Sequence, residues 1–134
     1  MLKFIPIKEY YDKAQWYLKK IDELSDLIRN KTILSQDEKR QAQAMMKTLK
    51  DELKKDCEIG NSVRKMNKMT LDERQLFVYI LEANEKLSVR TNSHPIRSNW
   101  SAHLGDCRNK LEDYVEYLLS RSNIIGVFLR SHTD

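Results

Sequence analysis

Apolar residues recur at alternating intervals of four and three along two long stretches of this 134-residue chain, and that spacing restricts its fold more than any other feature. Tyr10, Ala14, Tyr17, Ile21, Leu24 and Ile28 form one stripe, and Trp100, Leu104, Cys107, Leu111, Tyr114 and Leu118 form a second of equal length. A third, less regular, runs through Ala42, Met46, Leu49 and Leu53. Residues at these intervals lie on one side of an α-helix, in a narrow coiled-coil-like seam that another helix must cover. The pattern predicts an all-α fold, a four-helix up-down bundle forming a single domain over residues 1–134, with a long second helix and a short apolar C-terminal tail.

Local signals place the helix boundaries. The first helix is expected from about Lys8 to Asn30, with Pro6 keeping the preceding segment extended. Ser35-Gln36-Asp37-Glu38 and Thr70-Leu71-Asp72-Glu73 are capping boxes, in which the hydroxyl and the glutamate each satisfy an amide at the helix start. They open the second and third helices. If unbroken to Lys68, the second would run about 33 residues, roughly 50 Å; alternatively it bends at Gly60-Asn61, where the helix penalty is concentrated. The third helix carries Leu76, Phe77, Ile80, Leu81 and Leu87 to about Val89. Pro95 forbids a continuous helix through the following segment, and Ser98 or Asn99 is expected to cap a fourth helix ending near Ser122. Ile124 to Leu129 is an apolar stretch expected to pack across one end of the bundle.

Composition narrows the class. Only three glycines and two prolines interrupt the chain, and 33% charged against 40% hydrophobic residues suits helices with solvated outer faces. No stretch is apolar enough to suggest a signal peptide or a membrane span, so a cytoplasmic protein with no membrane partner is expected. Cys57 and Cys107 stand alone, without a C-x-x-C spacing, and read as reduced core thiols.

The densest polar cluster runs through Arg90, Asn92, His94, Arg97, Trp100 and His103. A loop held by a rigid bundle is a common place for binding groups. Turn and cap chemistry explains the same residue types without a ligand: Asn92 and Ser93 make a turn, Ser98 and Asn99 cap, and Trp100 opens its stripe. His94, His103 and Asp106 do not make a metal set, because His103 and Asp106 at i,i+3 supply two ligands and no paired motif lies on another helix. Cys107 follows His103 by one turn, but its place inside an apolar stripe predicts a buried, neutral thiol rather than a nucleophile.

The net charge of +4 is concentrated in residues 32–68 and 90–110. Lys54, Lys55, Arg64, Lys65, Lys68 and Arg97 would form one phosphate-binding surface if the fold gathered them at the corner between the second and third helices. Interleaved acids at Asp51, Glu52, Asp56 and Glu58 give that run the look of an ordinary solvated face. Tyr11 and Trp16 fall away from the first stripe and offer an aromatic interface.

These features predict a small cytosolic non-enzymatic protein-interaction module, an adaptor, regulator or inhibitor. It is expected as a homodimer, binding a protein through Tyr11 and Trp16 or through Arg90, Asn92, His94, Arg97, Trp100 and His103. The alternative is a nucleic-acid-associated protein using Lys54, Lys55, Arg64, Lys65, Lys68 and Arg97. A third reading puts a small-ligand site in the loop from Arg90 to Trp100. No catalytic group, cofactor or metal is expected.

Overall fold

The computed structural model describes residues 7–121, and the expected apolar tail at Ile124 to Leu129 lies outside them. Four helices follow in order: α1 (Ile7–Ile28), α2 (Gln36–Lys65), α3 (Leu71–Lys86) and α4 (Trp100–Ser120). There is no strand among the described residues. Each helix packs antiparallel on its neighbours in the cycle α1, α2, α3, α4 and back to α1, which makes an up-down bundle. The α1 and α4 stripes fill its centre, with Tyr17, Ile21, Leu24, Trp100, Leu104, Leu111 and Leu118 all shielded from solvent.

Both capping boxes form. Ser35 Oγ accepts from the Glu38 amide while Glu38 accepts from the Ser35 amide, and Thr70 and Glu73 repeat the exchange. The α2 helix is continuous through Gly60, because its buried stripe extends past Leu53 to Cys57 and Gly60 itself. A Cβ at Gly60 would lie 2.4 Å from two ring carbons of Phe77, so α3 approaches α2 at the one residue without a side chain. Close packing, rather than bending, is the reason for a glycine there.

The chain reverses at three asparagines with positive φ: Asn30 (59°), Asn67 (55°) and Asn99 (51°). Asparagine tolerates this left-handed conformation better than other residues with a Cβ. At Asn67 the Lys68 amide donates to Val63 O and the Asn67 amide to Arg64 O, closing α2 with a Schellman motif. The same pair of bonds recurs at Asn99, where Trp100 N donates to Pro95 O and Asn99 N to Ile96 O. Asn99 therefore ends a short helical turn begun at Pro95, and its side chain makes no cap to α4. This corrects the expected capping of α4 by Ser98 or Asn99: the left-handed backbone redirects the chain, and neither side chain is needed.

Candidate functional site

The α3–α4 connection is a self-satisfied structural unit. His94 Nδ1 accepts from the Ile96 and Arg97 amides, so the imidazole caps the turn that Pro95 begins. Trp100 is 0% exposed and donates its indole N–H to Ser93 Oγ at 2.9 Å, while Ser93 donates to Arg90 O. Gln43 of α2 donates to the carbonyls of Asn92 and Ser93, and Lys50 donates to Val89 O. His103 Nδ1 lies 3.0 Å from Lys86 O, a distance at which a protonated Nδ1 donates to the carbonyl. Trp100 is thus a core residue and cannot be touched by a partner, contrary to the sequence expectation. Arg90, Asn92 and Arg97 keep exposed side chains, while His94 and His103 are half-buried and held.

The aromatics of α1 are also engaged within the chain. Tyr11 and Trp16 are half-buried against the core. Trp16 meets Tyr17 edge to face at 5.4 Å, and the ammonium groups of Lys13 and Lys20 lie 5.0 and 5.8 Å from its ring centre.

The expected basic surface divides in two. Lys54, Lys55, Arg64, Lys65 and Lys68 are exposed along the C-terminal half of α2 and just beyond it. Arg97 belongs to the connection that Gln43 holds near the other end of the helix. Gln43 and Lys65 are separated by 22 positions on one helix, roughly 30 Å. One phosphate-binding face containing both groups is not formed. Arg64 and Lys65 occupy the last turn of α2, where cations complement the helix dipole.

A different site emerges where the starts of α1 and α3 meet the end of α2. An open cavity of about 280 Å³ lies between them, with Tyr114 of α4 among its walls. Most of its surface is apolar, from Ala14, Val63, Met69, Leu76, Phe77 and Ile80. Gly60 lines it beside Phe77, a buried residue that stands apart from the continuous core. Ile59, in the cavity wall, is 53% exposed, and the apolar surface continues outside to Met66, seven residues on and just past the end of α2, which is 57% exposed.

The polar groups of this cavity are paired in a particular way. Tyr17 donates its hydroxyl to Asp56 Oδ2, and Tyr10 donates to Glu73 Oε2 at 3.1 Å. Glu73 Oε1 also receives the Thr70 amide through the capping box. Lys13, the cation at the cavity, is tied to Glu52 at 2.5 Å, and that ammonium lowers the Glu52 carboxyl pKa. Among the described residues no cation lies within ion-pair distance of Asp56 or Glu73. Burial first, then Glu73, pushes the Tyr10 hydroxyl up to about 12; burial and the bond to Asp56 raise Tyr17, and burial raises Tyr114.

No nucleophile is activated by this arrangement. Burial lifts the Cys57 thiol to about 11, with nearby carboxylates adding to the rise, and lifts Cys107 to about 12. Among the described residues no group of three His, Cys, Asp or Glu side chains is disposed to hold a metal ion. None of the described helices is long and apolar enough to cross a membrane.

Sequence reasoning did not find Asp56, Gly60, Glu73 or Phe77 as a group, because they come from two helices joined only by the fold. One signal was present: Gly60 falls in register with the buried stripe of α2, where a missing side chain leaves room for a neighbour. No protein-family model, curated protein or solved structure matches the chain.

Proposed function

We propose that this chain is a small non-enzymatic protein-interaction module that takes an apolar segment of a partner protein at the cavity between α1, α2 and α3. The observation that carries this reading is the continuity of the apolar cavity, through the exposed Ile59 in its wall, with Met66 outside it. A small molecule would fill the cavity and leave Met66 wet, whereas a polypeptide covers the cavity and Met66 together. The reading places the module in the cytosol, where its two free, buried thiols stay reduced. The homodimer expected from Tyr11 and Trp16 loses its main argument, since both rings are half-covered by their own chain.

Affinity capture from the native host, with the wild-type chain and with Ile59→Asp, tests the proposal. Capture of a specific protein should fall at least tenfold with Ile59→Asp, which sets a charge in the apolar contact, and should survive Arg97→Ala. Loss with Arg97→Ala and retention with Ile59→Asp would move the site to the α3–α4 connection. Log-linear, salt-dependent binding of a mixed-sequence DNA duplex, lost on charge reversal at Lys54, Lys55, Lys65 and Lys68, would replace the protein reading by the nucleic-acid one.

A further inference from the structure

We infer that the cavity selects an alkylammonium group, presented as the lysine side chain of a partner segment, with its ammonium at Asp56. The inference rests on the cavity being the recognition site and adds the chemistry of what enters it. Four observations converge. The walls are mostly apolar and suit a hydrocarbon stem. The two carboxylates that line the cavity, Asp56 and Glu73, have no cation of their own among the described residues, and the nearby Lys13 is held by Glu52. Glu73 has both oxygens engaged, by Thr70 and Tyr10, whereas Asp56 receives only Tyr17, on Oδ2. Asp56 Oδ1 is therefore the acceptor left over. Finally, the aromatic rings of Tyr10, Phe77 and Tyr114 line the same space, and such faces attract cations, while the Tyr17 ring already has the Lys13 ammonium 5.3 Å from its centre.

The pairing of Asp56 also discriminates between cations. A guanidinium binds a carboxylate best through two parallel bonds, one to each oxygen. Tyr17 already holds Oδ2. An ammonium is a compact charge whose three donors can use one oxygen and leave the others toward aromatic faces. Its four-methylene stem follows Leu76, Phe77 and Ile80, the apolar residues that α3 contributes to the cavity.

The test is a nuclear magnetic resonance titration of the full chain with n-butylammonium, 1-butanol, butanoate and n-propylguanidinium at fixed ionic strength. Amide shifts are expected at Asp56, Gly60, Phe77 and Tyr114. Butylammonium should bind about tenfold more tightly than butanol, equivalent to roughly 1.4 kcal/mol, and also more tightly than the guanidinium, with butanoate weakest. In Asp56→Asn, which preserves shape, the preference of ammonium over alcohol should disappear while alcohol binding persists. Glu73→Gln should leave most of the preference intact and supplies a second variant if Asp56→Asn does not fold. Equal binding of ammonium and alcohol by the wild-type chain, with shifts at the cavity, would overturn the charge selection and leave the cavity as a binding site. Absence of cavity shifts with every probe would overturn the inference, while the Ile59→Asp capture separately decides whether the mouth is the partner surface.

Discussion

Glu38 shows how much one side chain contributes at a helix start. It accepts from the Lys31 ammonium and from the Ser35 amide, and these partners, Lys31 foremost, hold its carboxyl down at about 2, against an ordinary 4.5. A carboxyl depressed in the folded state adds stability above its unfolded pKa and loses it as pH falls through the folded one. Unfolding midpoints measured by circular dichroism should therefore fall more steeply for wild type than for Glu38→Gln between pH 4.5 and pH 2. Parallel curves would show that the cap does not persist in solution. Tyr10 works in the opposite direction: its hydroxyl is raised from 10 to about 12, so its contribution is present below pH 10 and is lost as the phenol ionises in alkali. At this scale the sequence was legible where a motif is local. Both capping boxes are contiguous four-residue patterns, whereas the role of His94 as the cap of the Pro95 turn depends on backbone geometry that no residue type announces.

At the scale of elements, the two helical glycines separate two uses of the same residue. Gly60 faces the Phe77 ring at contact distance, while Gly105 on α4 has nothing within 4 Å of where a Cβ would stand. Gly105→Ala should stabilise the protein by roughly 0.5–1 kcal/mol through helix propensity alone. Gly60→Ala gains the same propensity but forces the ring away, a cost of roughly 1–3 kcal/mol, so net destabilisation is expected. Denaturant unfolding of Gly60→Ala should be rescued in part by Phe77→Leu, and stabilisation by Gly60→Ala alone would contradict the packing account. The stripes made α1 and α4 readable, since every stripe position from Ala14 to Ile28 and from Trp100 to Leu118 is buried. Helix α3 ends at Lys86 instead of Val89 because the next residues pack as an extended connection: Leu87 and Val89 remain buried, and Lys50 takes the Val89 carbonyl. That exchange of a helical bond for a side-chain bond from another helix has no local signature.

At the scale of the molecule, the bundle divides structural from recognising surfaces. Its α3–α4 end uses its polar residues on itself, through Gln43, Lys50, Ser93, His94 and Trp100. The other end leaves an apolar cavity open, with an anionic wall and an exposed apolar margin. Periodicity could predict that four helices pack, because each stripe demands cover, but not where their side chains fail to fill the space between them. That shortfall comes from Gly60, Phe77 and the tyrosines meeting across four helices. The most direct measurement of the central claim is photo-crosslinking in the native host, with a benzoylphenylalanine placed at Ile59 in one sample and at Arg97 in another. A protein adduct formed from position 59 and absent from position 97, with a lysine beside the crosslinked residue of the partner, is the predicted result. Adducts from position 97 alone, or to nucleic acid, would contradict the assignment of the cavity mouth as the partner surface.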